Sequence, residues 1–254
     1  MTRVNVSRLD ALKHCQQGLL HEWFRAPMVD QRMEGIIFDL DGTLIDSLAD
    51  IATAANVVLE RFGLATHAIE DYKVFVGDGV NVLMERIIPG KVLSEELRME
   101  FLMAWKDAYA KQWKLQTKTY EGVDGLLKRL RSEGYRMGIL SNKPQEFTQA
   151  CAAAFFEAGC FDPVWGLQEG RPKKPDPAGA LGMATAWGLP PSSILYVGDT
   201  DTDMQTAVSA GMYPLGVSWG FRPREELVRT GARRVIDHPD EVTDVLKSIV
   251  APQD

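Results

Sequence analysis

The stretch Gly35-Ile36-Ile37-Phe38-Asp39-Leu40-Asp41-Gly42-Thr43 decides the fold of this chain. Its first four residues form a short apolar run, which is typical of a strand buried on both faces of a parallel sheet. Side chains alternate along an extended chain, so we expect Asp39 and Asp41 on one side and Leu40 in the core. Open parallel sheets bind ligands at the carboxyl ends of their strands, where these two carboxylates stand. The pair marks a candidate site, with a simple strand-ending turn as the alternative.

After residue 117 the sequence alternates between short apolar strands and helices. We predict strands at 137–140, 163–165, 194–197, 214–217 and 234–236, and helices at 123–131, 144–158, 177–187, 201–210, 224–228 and 239–249. This alternation predicts an α/β fold, a Rossmann-like doubly wound parallel sheet with helices on both faces.

The segment between about residues 47 and 113 has a helical apolar period. Ser47 is a good N-cap for a first helix, and further helices are predicted around 80–88 and 94–113. They predict a small all-helical domain at 48–116, inserted into a core formed by 35–47 and 117–254. Residues 1–34 contain one predicted helix, 7–24, and form an N-terminal extension of unknown role.

The composition narrows the classes of function. The chain has 254 residues, and 28 Lys and Arg against 35 Asp and Glu give a formal net charge of −7. A field of this sign repels polyanions, so we expect no nucleic-acid partner. The first 30 residues scatter their charges and contain no apolar signal segment, and the three cysteines have no metal-binding spacing. We expect a cytoplasmic protein without membrane association, either a monomer or a homodimer.

Polar residues also follow the later strands. Ser141-Asn142-Lys143 is predicted at a helix N-terminus, which favours an anion, although capping explains this hydroxyl and amide equally well. Arg171-Pro172-Lys173-Lys174-Pro175-Asp176-Pro177 is a rigid cationic turn, for which a solvated basic loop is the alternative. Gly198-Asp199-Thr200-Asp201-Thr202-Asp203 follows the strand at 194–197. Three carboxylates this close are costly without a counter-ion, and their hard oxygen ligands suit Mg²⁺.

In order and in context, these strand ends resemble the motifs of the haloacid dehalogenase-like hydrolase superfamily, over about residues 35–241. Within it the chain is most similar to the phosphoglycolate phosphatase group. The likeness rests on residues 38–47, 120–123, 141–144, 174–177, 197–199 with Asp203, and 218–220. Dehalogenases of the superfamily lack the second acid of the first motif, so Asp41 argues for phosphoryl transfer.

The resemblance implies a Mg²⁺-dependent phosphatase of a small phosphorylated metabolite, with 2-phosphoglycolate as the suggested substrate. It implies that Asp39 is the nucleophile that forms an aspartyl-phosphate, and that Asp41 protonates the leaving alcohol and then deprotonates the attacking water. The metal would be held by the carboxylates of Asp39 and Asp199, the backbone carbonyl of Asp41 and, through a water, Asp203. The phosphate would be bound by Thr43, Ser141, Asn142 and Lys174.

The helical segment takes the place of the superfamily's cap, which closes over small substrates and sets specificity. Gly77-Asp78-Gly79 lies where the family often has a substrate-contacting turn, with an ordinary interhelical turn as the alternative. Lys73 and Arg86 are candidate partners for a substrate carboxylate, or else solvated charges. Sugar phosphates, nucleotides and pyrophosphate stay open as substrates. A phosphosugar mutase of the β-phosphoglucomutase type and a binding protein without turnover stay open as functions.

Overall fold

A computed structural model describes residues 32–88, 90 and 94–250 of the chain. The strands are β1 Gly35–Phe38, β2 Ile45–Asp46, β3 Lys118–Thr119, β4 Arg136–Pro144, β5 Val164–Leu167, β6 Ile194–Gly198, β7 Tyr213–Val217 and β8 Arg234–Ile236. The α-helices are α1 Leu48–Arg61, α2 Tyr72–Phe75, α3 Val80–Ile87, α4 Glu95–Gln112, α5 Val123–Ser132, α6 Gln145–Phe155, α7 Ala178–Trp187, α8 Asp201–Ala210, α9 Arg224–Arg229 and α10 Glu241–Val250. The predicted helix 7–24 lies outside the described residues. No helix in the described part of the chain is long and apolar enough to cross a membrane.

Six strands form one parallel sheet in the order β5-β4-β1-β6-β7-β8. β1 is central, with Phe38 opposite Ile139 of β4 on one side and opposite Val197 of β6 on the other. The chain therefore winds outward from β1 in both directions. The predicted doubly wound α/β fold is confirmed.

The apolar run of β1 explains its central position. Ile36 and Phe38 pack on one face of the sheet, in a cluster with residues of α5 and α10 such as Leu126, Leu130, Val242 and Val245. Ile37 packs on the opposite face with residues of α7 and α8 such as Ala180, Met183 and Ala207. All three β1 side chains are fully buried. Each large apolar side chain contributes about 1.5–3 kcal/mol to the free energy of unfolding when it is buried. A strand with apolar side chains on both faces is therefore favoured at the centre of the sheet, where helices cover both faces.

β4 corrects the predicted end of the second core strand. It runs through Pro144, with an irregular register against β5 between Leu140 and Pro144. Ser141, Asn142 and Lys143 therefore belong to the strand end, and α6 begins only at Gln145. Their predicted position at a helix N-terminus is wrong, because extended pairing with β5 continues past the apolar residues that were used to define the strand.

The inserted segment forms a helical layer with its own apolar cluster. Inward-facing residues of α1, α3 and α4, including Val58, Leu59, Met84 and Phe101, pack together, and Phe147 and Phe221 of the core join them. A 3₁₀ turn at Ile69–Asp71 and the short helix α2 add to the predicted helices. The division at residues 48–116 stays a prediction. We call this segment the cap.

A two-stranded ribbon joins the cap to the sheet. β2 pairs antiparallel with β3, with Ile45 opposite Thr119. Next to it the buried carboxylate of Asp50 accepts hydrogen bonds from the backbone N–H groups of Gln116 and Thr117 and from the Thr117 hydroxyl, at 2.7–3.1 Å. The chain thus leaves and re-enters the core at adjacent points, which places the cap over the end of β1.

Candidate active site

The carboxyl ends of three adjacent strands bring the candidate residues together. Asp39 follows β1, Ser141 lies near the end of β4 and Asp199 follows β6. Because β1 lies between β4 and β6, these side chains meet at one edge of the sheet. All three are at least nine-tenths buried.

Asp39, Asp199 and Asp203 form a buried acidic cluster. One carboxylate oxygen from each lies within 4.8 Å of the others. The ammonium of Lys174 lies 2.9 Å from Asp39 Oδ1 and 2.7 Å from Asp203 Oδ1. One cation therefore faces three buried carboxylates.

This imbalance of charge is visible in the pKa values. Burial and the nearby charge of Asp203 raise the pKa of Asp39 to about 7, although Lys174 opposes the shift. Burial and the charges of Asp203 and Asp39 hold the pKa of Asp199 well above its usual range. Burial alone would lower the pKa of Lys174, but Asp203 and Asp39 outweigh it and hold that pKa well above its usual value. The cluster lacks positive charge.

The chemistry of these donors fits a divalent metal ion. Carboxylate oxygens are hard ligands, and a divalent cation would supply the charge that the buried carboxylates lack. The side chain of Asp41 is outside the cluster, so only its backbone carbonyl is a candidate ligand, as the resemblance implies. The metal-binding roles of the four aspartates stay predictions.

Asp199 is held tightly in its position. Thr43 Oγ1 donates a hydrogen bond to Asp199 Oδ1 at 2.9 Å, and the backbone N–H of Phe221 donates to Oδ2 at 2.8 Å. A Cβ added at Gly42, where φ is +85°, would lie 2.2 Å from Oδ2, and one at Gly220 would lie 2.3 Å from Asp199 Cβ. Only glycine permits this approach on both sides. Thr43 thus contacts the acidic cluster, and its predicted role in phosphate binding stays a prediction.

Asp203 is both a cluster member and part of a helix cap. Its Oδ2 accepts from the backbone N–H and the hydroxyl of Thr200, at 3.1 and 2.7 Å, while the Thr200 hydroxyl accepts from the Asp203 N–H. This reciprocal arrangement is a capping box at the start of α8. Local capping therefore aims the other oxygen of Asp203 at Lys174.

Asp41 belongs to a second group of side chains. Ser47 Oγ donates to Asp41 Oδ1 at 2.6 Å, and the ammonium of Lys143 donates to Oδ1 at 2.8 Å and to Oδ2 at 3.0 Å. Lys143 also donates to the hydroxyl of Tyr109, on α4 of the cap, at 2.6 Å. Ser47 occupies the N-cap position of α1, but its side chain makes no capping bond. The predicted capping role of its side chain is wrong, because the hydroxyl is turned toward Asp41, to which it donates, and the Ser47 backbone, at φ −110° and ψ 2°, is not in the extended conformation typical of a capping residue.

Sequence reasoning missed Lys143. Its side chain is 3% exposed, and the charge of Asp41 holds its pKa above the usual value against the effect of burial. A lysine directly after Ser141 and Asn142, at a strand end already marked as a site, was the available signal.

Asn142 connects the strand end, the Lys174 loop and the cap. Its Nδ2 donates to the carbonyl of Gly77 at 3.0 Å and to that of Lys174 at 3.1 Å, and its Oδ1 accepts from the N–H of Lys174 at 2.9 Å. Both amide protons are therefore engaged in positioning neighbouring loops. The Ser141 hydroxyl accepts from the Lys143 N–H at 3.3 Å. The predicted binding of phosphate by Ser141, Asn142 and Lys174 stays a prediction.

The loop Gly77-Asp78-Gly79 is in contact with the core. Asp78 Oδ1 accepts from Thr202 at 3.1 Å, its Oδ2 pairs with Arg86 at 2.5 Å, and its backbone carbonyl accepts from Lys173 at 3.2 Å. Arg222 donates to the carbonyls of Lys73 and Val76 beside this loop. These bonds hold the cap against the strand ends.

The cap places some of its candidate residues near the site and others away from it. Gly77 and Gly79 line the cavity between cap and core, whereas Asp78 does not. Lys73 pairs with Glu70 on the surface, and Arg86 pairs with Asp78. Neither cation lines the cavity, so the suggestion that they meet a substrate carboxylate finds no contact in this arrangement.

The cavity has a volume of about 50 Å³. Its charged lining residues are Asp39, Asp41 and Lys143, and Ser141 and Asn142 add polar groups. Apolar side chains form the rest of its wall, among them Ile51, Val76, Val80, Leu83 and Trp105. This space suits a small ligand that approaches both aspartates of the first motif.

The chain is similar to known hydrolases in sequence and in structure. The family model described as "Haloacid dehalogenase-like hydrolase" matches residues 36–217. The phosphoglycolate phosphatase of Psychrobacter arcticus is 33% identical over 217 residues, covering 83% of this chain and 94% of that protein. The phosphoglycolate phosphatase of Cereibacter sphaeroides is 33% identical over 223 residues, covering 86% of this chain and 100% of that protein. The crystal structure of a predicted phosphoglycolate phosphatase from Haemophilus somnus matches with a TM-score of 0.79 and 27% identity, covering 86% of this chain and 99% of that one.

Proposed function

The chain belongs to the haloacid dehalogenase-like hydrolases and is a phosphoric monoester hydrolase, and on this basis we propose that it hydrolyses 2-phosphoglycolate with Mg²⁺ as its cofactor. The observation that carries the proposal is the pair of carboxylates at the end of β1, in different surroundings. Asp39 lies in the acidic cluster with Lys174, and Asp41 lies in the cavity with Lys143. Two acids held apart in this way suit two different roles in one reaction.

The proposed reaction has two steps. First the Asp39 carboxylate attacks phosphorus, the ester bond breaks, and Asp41 as a carboxylic acid gives its proton to the leaving oxygen. Then the Asp41 carboxylate takes a proton from a water that attacks the aspartyl-phosphate, which releases phosphate and restores both acids. Lys174 stabilises charge on the phosphoryl oxygens as bonds break. Mg²⁺ held by Asp39, Asp199, Asp203 and the Asp41 carbonyl would neutralise charge between the nucleophile and the phosphate.

The walls of the cavity are consistent with a small polar substrate. Its polar groups, from Ser141, Asn142 and Lys143, lie beside the two aspartates of the first motif, and apolar residues form the rest of the wall. The curated relatives named above are phosphoglycolate phosphatases, which makes 2-phosphoglycolate the first compound to test.

The test is phosphate release from a panel of phosphomonoesters, with and without Mg²⁺. We expect 2-phosphoglycolate to be the best substrate, little release in EDTA, and no conversion of hexose phosphates to isomers. Asp39→Asn is expected to abolish release, whereas Asp41→Asn retains slow formation of a phosphoenzyme. Asp107→Asn, at an exposed position on α4, is the matched control with wild-type activity.

Three outcomes would overturn parts of the proposal. Activity retained by pure Asp39→Asn would exclude the nucleophile. Full activity in EDTA would exclude the metal. Faster release from sugar phosphates or nucleotides than from 2-phosphoglycolate would exclude the substrate but leave the reaction class intact.

A further inference from the structure

Of the charged residues that line the cavity, the proposed reaction leaves one unused, the ammonium of Lys143. Among the described residues that line the cavity, Lys143 is the cation, and the other two charged residues are the acids Asp39 and Asp41. Its side chain is 3% exposed. A buried ammonium is costly unless it is paired, and here the carboxylate of Asp41 and the hydroxyl of Tyr109 pair it.

Lys143 and Lys174 serve opposite ends of the site. Lys174 contacts Asp39 and Asp203, the end at which the nucleophile meets phosphorus. Lys143 contacts both oxygens of Asp41, the end at which the leaving oxygen receives its proton. A cation at that end lies beside the alcohol part of the substrate and not beside its phosphate.

We propose that Lys143, held in place by Tyr109, forms the subsite for a carboxylate carried by the leaving alcohol, next to the ester oxygen. The inference rests on the proposed function and adds the residues that select its substrate class. In a 2-hydroxy acid phosphate, one carbon separates the ester oxygen from the carboxylate. An ester oxygen within hydrogen-bond reach of Asp41 therefore places the carboxylate near the Lys143 ammonium, which lies 2.8 Å from Asp41 Oδ1.

Tyr109 positions Lys143 from the cap. It is fully buried and does not line the cavity, and its hydroxyl accepts from Lys143 at 2.6 Å, so it holds the ammonium in place. The lysine belongs to β4 and the tyrosine to α4, so the subsite exists only while the cap lies on the core.

The surroundings make the subsite selective for an anion. The remaining wall near the cap is apolar, with Ile51, Val80, Leu83 and Trp105 among its residues. Charge-assisted hydrogen bonds are stronger in such surroundings than in water. When Asp41 acts as the acid it no longer balances the charge of Lys143, so a carboxylate on the substrate would compensate the ammonium and a neutral hydroxyl would not. We expect a preference of about 10- to 100-fold for the carboxylated substrate over a neutral one of the same size.

The experiment compares two phosphomonoesters that differ in that one group, 2-phosphoglycolate and 2-hydroxyethyl phosphate. We expect Lys143→Met to reduce kcat/KM for 2-phosphoglycolate about 10- to 100-fold more than for 2-hydroxyethyl phosphate, and Tyr109→Phe to act in the same direction to a smaller extent. Lys128→Met, at an exposed position on α5, is the control and leaves the ratio unchanged. An equal loss on both substrates would show that Lys143 only positions Asp41 and would overturn the proposal.

A binding measurement keeps this inference separate from the proposed function. Glycolate, added to the wild-type protein without any phosphate ester, is expected to raise its melting temperature more than ethylene glycol does, and Lys143→Met is expected to remove the difference. If 2-phosphoglycolate is not hydrolysed but glycolate still binds through Lys143, the proposed substrate fails and the subsite stands. If glycolate stabilises wild type and Lys143→Met equally, or neither of them, the subsite fails. Tyr109→Phe provides the same comparison if Lys143→Met does not fold.

Discussion

Replacing Gly42 by alanine is expected to displace Asp199 from the acidic cluster. A Cβ at Gly42 would lie 2.2 Å from Asp199 Oδ2, whereas ordinary contacts begin at 3.4 Å. The carboxylate would therefore have to move by about 1 Å to restore normal contact. It cannot retreat freely, because Gly220 packs against its other side and Oδ2 accepts a bond from Phe221 N at 2.8 Å.

Two magnitudes follow from this geometry. An alanine in the left-handed region costs about 1–2 kcal/mol in free energy of unfolding. A misplacement of about 1 Å at a reacting centre costs about 100-fold in rate. We expect Gly42→Ala to lose at least about 1–2 kcal/mol of stability, to lose about 100-fold in kcat/KM, and to require more Mg²⁺ for half-maximal activity.

Gly211→Ala separates the two effects. Gly211 also has a positive φ, +71°, but nothing lies within 4 Å of a Cβ built there. Urea denaturation and Mg²⁺-dependent phosphate release from 2-phosphoglycolate and p-nitrophenyl phosphate would be measured for both variants. Both are expected to lose similar backbone stability, and only Gly42→Ala to lose activity. Wild-type rates and wild-type Mg²⁺ dependence in Gly42→Ala would refute the reasoning.

Three further changes test the charges and the cap. Because the pKa of Asp39 is raised from 3.8 to about 7, its contribution to stability is full below pH 3.8 and is lost as the pH rises through about 7. In EDTA we therefore expect the free energy of unfolding of the wild type to fall by up to about 4 kcal/mol over that window. Asp39→Asn is expected to remove this fall, as measured by urea titration at several pH values. Lys174→Met leaves the buried carboxylates of Asp39 and Asp203 without their ammonium, so in EDTA at pH 8 it is expected to lower the free energy of unfolding by about 3–5 kcal/mol. The loss is expected to be smaller at pH 5, where Asp39 is protonated. Equal losses at both pH values would contradict this. Arg222→Ala removes the guanidinium hydrogen bonds to the carbonyls of Lys73 and Val76 in the cap. It is therefore expected to raise KM about tenfold with a smaller change in kcat. An unchanged KM would show that these bonds do not hold the cap closed.

Local patterns predicted the features that depend on neighbouring residues along the chain. The apolar run before Asp39 identified the central strand, and the alternation that follows identified the α/β fold, which is confirmed, as is the family. Parallel strands end at one edge of a sheet, so residues at their carboxyl ends meet whatever the details of packing. Asp39 and Asp199 come together for this reason, and the capping box at the start of α8 aims Asp203 at them.

Other features were mispredicted or missed where contacts outside the local pattern decide them. Ser47 stands at a helix N-terminus, and its position predicts a side chain that accepts from the helix N–H groups, yet its hydroxyl is turned to Asp41 and makes no capping bond. The ribbon of β2 and β3 contains two residues per strand, too few to show a period, and it forms because residues 45 and 119 are brought together from far apart. Propensity describes each segment alone and cannot rank such partners.

By itself, then, the sequence determined the central strand, the order of the motifs and the acidic residues that the strand ends carry, because strand direction and side-chain alternation are local properties. The tertiary structure alone decided that Lys143 of β4 binds Asp41 of the first motif and Tyr109 of the cap, across 102 and 34 residues of chain. It also decided that Asp78 faces Thr202 and not the cavity. These pairs depend on how the cap packs on the sheet. Ion pairs and hydrogen bonds form between groups that packing brings together, and residues so far apart along the chain share no sequence pattern that would predict the contact.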